Sequence, residues 1–165
     1  MKLFRFTCTI VVFIMTCHNM YGQDTIEKNQ AVILELGKNG LLFNLYYDHK
    51  LKHHNFGFRG GAGSNLGVYT FAFTAGGGIF SLIGKNNKFF ETGIDLHYFY
   101  VNSPQDDVVG LPLFFPTENT RSWYPSMNIG YRKYKRKSIF RAGISPGYIK
   151  PYFIPGAYVG WGKIF

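Results

Sequence analysis

Between Phe90 and Tyr100 the chain changes character at every residue. Phe90, Thr92, Ile94, Leu96, Tyr98 and Tyr100 share one side of an extended backbone, and Glu91, Gly93, Asp95, His97 and Phe99 share the other. A period of two fits a β-strand held between two different surroundings. It does not fit a helix, whose apolar positions recur three and four residues apart. Whatever fold the chain adopts must satisfy acids on one face of this sheet and aromatics on the other.

The same alternation predicts eight strands. Val32, Leu34 and Leu36 share a face of the first, before the turn Lys38-Asn39-Gly40. In the second, Leu41, Phe43, Leu45 and Tyr47 stand against Leu42, Asn44, Tyr46 and Asp48. The third sets Phe56, Phe58 and Ala62 against Asn55, Gly57 and Arg59, and the fourth Tyr69, Phe71, Phe73 and Ala75 against Thr70, Ala72 and Thr74. Gly76-Gly77-Gly78 follows, where a bulge would shift the phase. The fifth is the strand above. In the sixth, Trp123, Pro125, Met127, Ile129 and Tyr131 oppose Ser122, Tyr124, Ser126, Asn128 and Gly130. Pro125 counts against it, because proline removes a ladder donor. The seventh has Phe140, Ala142, Ile144 and Tyr148 against Arg141, Gly143 and Ser145. The eighth has Ala157, Val159, Trp161 and Phe165 against Tyr158, Gly160, Gly162 and Ile164, with Lys163 the exception on the apolar face.

Alternation does not say which face is outside, since a soluble barrel encloses its apolar face. Composition and placement decide it. Charged residues are 16% of the chain and aromatics 19%, where a soluble domain carries about 25% charged residues. The polar faces hold Gly, Ser, Thr, Asn and a few acids, with no lysine. The lysines gather instead in turns: Lys50 and Lys52, Lys85 and Lys88, and Lys133, Lys135 and Lys137. Aromatics recur near strand ends, where a membrane barrel carries its interfacial girdles. The expected fold is all-β, an eight-stranded antiparallel up-and-down transmembrane β-barrel, with aromatics toward lipid and small polar groups toward a narrow lumen. Eight strands leave an interior just filled by side chains, and in lipid the sheet must close because an open edge has no water to bond.

Residues 1–23 read as a secretory signal peptide, which leaves 24–165 as the barrel domain. Lys2 and Arg5 precede an apolar stretch from Phe6 to Thr16, too short for a membrane helix of about 20 residues. Cys8 and Cys17 both lie in this leader, so the mature chain has no thiol, disulfide or cysteine metal site. Lipidation at Cys17 is the lesser alternative, since Thr16 is a poor residue before such a cysteine.

The formal net charge is +9. A basic balance suits nucleic acid or a membrane surface; cations confined to turns favour the membrane, and no nucleic-acid partner is expected. With the N-terminus in the periplasm, the turns after strands two, four and six are short, basic and periplasmic, including Arg132-Lys133-Tyr134-Lys135-Arg136-Lys137. They would face anionic headgroups or the cell wall, or simply be solvated. The gap after strand five, Asn102 to Thr120, becomes the longest external loop. Its Leu111, Leu113, Phe114 and Phe115 are candidates to contact a partner or apolar ligand, or else extend the wall or cover the mouth.

Phe140-Arg141-Ala142-Gly143-Ile144-Ser145-Pro146, then Pro155-Gly156-Ala157, then Gly160-Trp161-Gly162-Lys163-Ile164-Phe165 resemble the last strands of small outer-membrane β-barrels of Bacteroidota, which are OmpA/OmpX-like. Lys88-Phe89-Phe90-Glu91-Thr92-Gly93 is similar to their fifth strand, while Lys163 departs from the aromatic usual near that position. The resemblance implies a place in the cell outer membrane, with outer-membrane lipid and the barrel-assembly machinery as partners. It implies Trp161 and Phe165 as the assembly signal. It carries no activity and no cofactor.

Glu35, Asp48, Glu91 and Asp95 are expected to face the lumen with Arg59, Arg141 and His97. Charges in a dry interior must pair, so the first reading is a salt-bridge network that fills the lumen of a structural or interaction protein. A proton or ion path is the alternative, and it needs a continuous wet route. Asp95 and His97, two apart, would imitate a Ser-His-Asp set if Ser122 or Ser126 lay near. That makes a lipid-modifying outer-membrane enzyme with His97 as base a second reading. The His-x-Ser pair of lipid A deacylases is absent, because Phe99 follows His97 by two. A soluble periplasmic carrier with an apolar interior is the third. His53 and His54 are adjacent and point apart on a strand, so no metal site is expected, and no nucleotide motif is present.

Overall fold

The structure, a computed structural model, describes residues 29–65, 71–102, 120–149 and 152–165. Alternating segments form β1 (Gln30–Leu36), β2 (Phe43–Lys50), β3 (Phe56–Ser64), β4 (Phe71–Lys85), β5 (Lys88–Asn102), β6 (Thr120–Tyr134), β7 (Ser138–Ile144), β8 (Gly147–Ile149), β9 (Tyr152–Ile154) and β10 (Ala157–Ile164). All pairings are antiparallel, and the β5–β6 and β1–β10 ladders close the sheet on itself.

These segments make eight barrel strands. β7 and β8 are one strand broken at Pro146, and β9 and β10 one strand broken at Pro155, each proline costing a ladder donor. The register is unchanged across both breaks: Ala157 opposes Ile144 and Ile154 opposes Gly147. Between them Ser145 N donates to Gly156 O at 2.7 Å. The protein is thus a closed eight-stranded antiparallel β-barrel.

The faces separate cleanly. Phe71, Phe73, Ile94 and Leu96 are 47%, 37%, 58% and 49% exposed on the outer wall, while Glu91, Asp95 and His97 are fully buried. Orientation is therefore apolar outside and polar inside. Two clusters of buried apolar side chains lie toward its ends. Ala31, Ile33, Phe80, Leu82, Phe89, Tyr134, Ile139 and Ile164 lie at the end of the short turns. Leu41, Ala72, Phe99, Val101, Tyr124 and Ile154 lie at the opposite mouth.

Several sequence expectations are corrected. No bulge forms at Gly76-Gly77-Gly78: β4 runs in constant register from Phe71 to Lys85 against β5. These glycines make room instead. A Cβ on Gly76 would sit 2.9 Å from His97 Cδ2, and one on Gly78 would strike Asp95 Oδ1. Pro125 does not break β6. Met127 N donates to Pro146 O, so the amide direction shared by positions 125 and 127 faces β8. There the ladder has thinned to the single pair Ser126↔Gly147, and a missing donor costs little. Leu41 does not face outward with Phe43; it precedes β2 and is 1% exposed in the mouth cluster.

Candidate functional site

The middle of the barrel holds four carboxylates and four cations, joined from β1, β2, β3, β5, β6, β7 and the β1–β2 turn. Glu91 is its hub. Its carboxylate accepts from Arg132 Nε at 2.6 Å, from Arg141 Nε at 3.0 Å, and from Arg59 Nη2. Arg141 also donates to Glu35. Asp48 accepts from Arg132 Nη2 at 2.6 Å and lies 3.7 Å from Arg59 Nε. Asp95 Oδ2 accepts from Lys38 Nζ at 2.7 Å and from Asn128 Nδ2 at 2.8 Å. Lys38 Nζ is also 3.7 Å from Glu35 Oε2.

Strand parity puts these groups inward, and glycine gives them space. β4 and β10 contribute no charge to the network; they contribute Gly76 and Gly78, and Gly160 and Gly162. A Cβ on Gly160 would lie 2.7 Å from Glu35 Cγ. Aromatic rings bound the charged layer. The Arg132 and Arg59 guanidiniums lie 4.4 and 4.8 Å from the Phe80 centroid, and the Arg141 guanidinium 5.0 Å from that of Tyr158. Such contacts stabilise cations that have lost water.

The structure thus brings together Glu35, Asp48, Arg59, Glu91, Asp95 and Arg141. His97 stands apart from the ion pairs: its Nε2 lies 3.0 Å from Tyr46 Oη, and Tyr46 Oη accepts from Asn39 Nδ2 at 3.0 Å. Two further members join them. The basic run suggests a turn position for Arg132, but β6 continues to Tyr134 and Arg132 is 1% exposed inside. The signal was present, since alternation carried on through Asn128, Gly130, Arg132 and Tyr134 gives it inward parity. Lys38 overturns the expectation of an interior without lysine. It enters from the 3-10 turn Lys38–Gly40, where Gly37 (φ 83°) and Asn39 (φ 55°) take left-handed backbone. Nothing in strand periodicity reports a turn residue folded inward.

A Ser-His-Asp relay is not assembled. Asp95 Oδ2 is engaged by Lys38 and Asn128, His97 Nε2 by Tyr46, and Ser122 bonds the Trp123 carbonyl at 3.3 Å. Ser126 is buried opposite Asp95. Among the described residues no group of three or more His, Cys, Asp or Glu side chains is placed to hold a metal ion. His53 and His54 are exposed in the β2–β3 turn. On the outer wall Trp161 packs against Phe140 at 5.4 Å between centroids, and Phe165 is half exposed. Leu111, Leu113, Phe114, Phe115 and the leader lie outside the described residues.

The N-terminal β-barrel domain of Pseudomonas aeruginosa OprF is similar at a TM-score of 0.65 and 14% identity, over 84% of this chain and 98% of that one. This chain shares that barrel fold. The Yersinia pestis outer membrane protein Ail in a phospholipid bilayer nanodisc gives 0.48 at 11% identity, over 84% and 99%. Ail in complex with the heparin analogue sucrose octasulfate gives 0.43 at 13%, over 83% and 94%. No family model and no curated protein sequence matches the chain.

Proposed function

We propose that the protein is an integral barrel of the cell outer membrane, of structural or interaction type, with its lumen filled by the Glu91-centred network. The observation that carries this reading is the inversion of the barrel. All four described side-chain carboxylates are buried inside, while Phe71, Ile94, Trp123, Met127 and Trp161 stand on the outer wall. An exposed apolar band of this extent is costly in water and favourable in lipid. The C-terminal patterns shared with Bacteroidota barrels support a place among them, with Trp161 and Phe165 as the assembly signal and the barrel-assembly machinery as partner. The external loop around Leu111, Leu113, Phe114 and Phe115 is the proposed contact region.

The enzyme reading draws no support from an enclosed His97 held by Tyr46, and the carrier reading needs an apolar interior where this one is charged. The test is refolding from urea with and without detergent micelles or vesicles. A barrel band that shifts on heating in denaturing gels, formed only with lipid or detergent, is expected. Full folding in plain buffer would overturn the proposal.

A further inference from the structure

With every described side-chain carboxylate inside, the charged side chains of the described outer wall are all cationic, and one part of them is ordered. Lys85 opposes Lys88 across the β4–β5 hairpin, and Lys88 opposes Lys133 across the β5–β6 ladder. All three have outward parity, Lys85 and Lys88 being exposed and Lys133 half-buried. Three ammonium groups therefore share one row, about 10 Å wide at sheet spacing. Like charges directly opposite one another destabilise a sheet, and an anion set against the row would offset part of that repulsion.

The next outward row toward the barrel's middle is Ile83, Phe90 and Tyr131, in the same lateral register. These are 45%, 51% and 39% exposed. A cationic row thus borders an apolar and aromatic row about 7 Å away along the strands. The lysines stand on the water side of that row, so their charged heads can stay at the level of the headgroups.

We propose that Lys85, Lys88 and Lys133 form a site for the phosphate of an anionic diacyl phospholipid, whose first acyl carbons lie on Ile83, Phe90 and Tyr131. The site rests on the bilayer reading above and names its lipid partner at the short-turn rim. A cell-wall glycan fits less well, because it would meet the tips of the turns and would leave the apolar row without a partner. The lysines instead stand on the wall, where a headgroup sits when the chain spans a bilayer.

The experiment uses the full barrel in phosphatidylcholine bilayers carrying trace spin-labelled phosphatidylglycerol or phosphatidylcholine, with the wall-bound fraction read by electron paramagnetic resonance. Wild type is expected to prefer phosphatidylglycerol by about tenfold, falling toward parity in molar salt. The variant Lys85→Gln/Lys88→Gln/Lys133→Gln is expected to drop to about twofold or less. Lys135→Gln/Arg136→Gln/Lys137→Gln, which changes the neighbouring turn tip, is expected to keep most of the preference. A heat-shifted gel band checks that each variant is folded. Insertion of wild type without lipid preference, or a preference unmoved by the row variant, overturns the site and leaves the bilayer reading standing. Loss of binding to purified cell-wall sacculi in the row variant, with lipid preference intact, overturns it in favour of the glycan. Failure of wild type to insert at all overturns the bilayer reading and the site together.

Discussion

Glu91 holds three guanidiniums, from Arg59, Arg132 and Arg141, at zero exposure. Removing its charge leaves a surplus of cations with no water to receive them. Breaking a buried ion pair by removing one partner costs about 3–5 kcal/mol, so Glu91→Gln is expected to lose that much in urea unfolding in micelles, followed by Trp123 and Trp161 fluorescence. Asp95 is the internal comparison. Asp95→Asn keeps an acceptor for Asn128, and Lys38 still has Glu35 at 3.7 Å. Its cost is expected to be smaller, about 1–3 kcal/mol. Equal losses in the two variants would show that Glu91 is not the hub. At this scale the sequence was readable wherever parity applied, and so Glu35, Asp48, Arg59 and Arg141 could be named without coordinates. It was unreadable at Lys38, whose direction is set by the left-handed turn at Gly37 and Asn39 and by the counter-charges waiting on β5 and β1.

At the scale of elements, β4 and β10 act as spacers. Their inward glycines let side chains from β5 and β1 cross the narrow interior. Gly76→Val places two methyl groups against His97 and is expected to cost about 1–3 kcal/mol or to prevent folding. On Gly60, by contrast, a Cβ meets nothing nearer than Gly76 O at 3.8 Å. Gly60→Ala is therefore expected to fold normally, and urea midpoints of the two variants check the contrast. The β4–β5 hairpin turns on Asn86 (φ 54°) and Asn87 (φ 63°), the left-handed pair of a two-residue type I′ turn. Asn86→Val/Asn87→Val is expected to lose about 1–2 kcal/mol per residue, with Asn86→Gly/Asn87→Gly close to wild type. Reading this level from sequence succeeded for strands, since two-fold periodicity survives any tertiary arrangement. It went astray where one residue type serves two purposes. A glycine run signals a bulge as readily as space for a neighbour, and a basic run hides where β6 ends and its turn begins.

For the molecule as a whole, the interior is layered: an apolar cluster, a neutral charge network, then a second apolar cluster. On the filled-lumen reading proposed above, an ion crossing it would have to pass both apolar layers and displace the paired charges between them. Wild type in a planar bilayer is therefore expected to show no sustained conductance steps. Phe80→Ala, which thins the layer at the short turns, is expected to stay closed, because Arg59 and Arg132, though they lose the ring they lie against, remain paired with Glu91 and Asp48. The same layering separates two kinds of charge by their response to salt. Interior pairs are screened little and exposed lysines strongly, so molar salt should leave the urea midpoint nearly unchanged while it abolishes any lipid preference of the outer wall. A midpoint that fell steeply with salt would mean that solvent ions reach Glu91, and steady wild-type conductance should then accompany it. Measured on one preparation, the two readouts decide between a filled barrel and a wet pore.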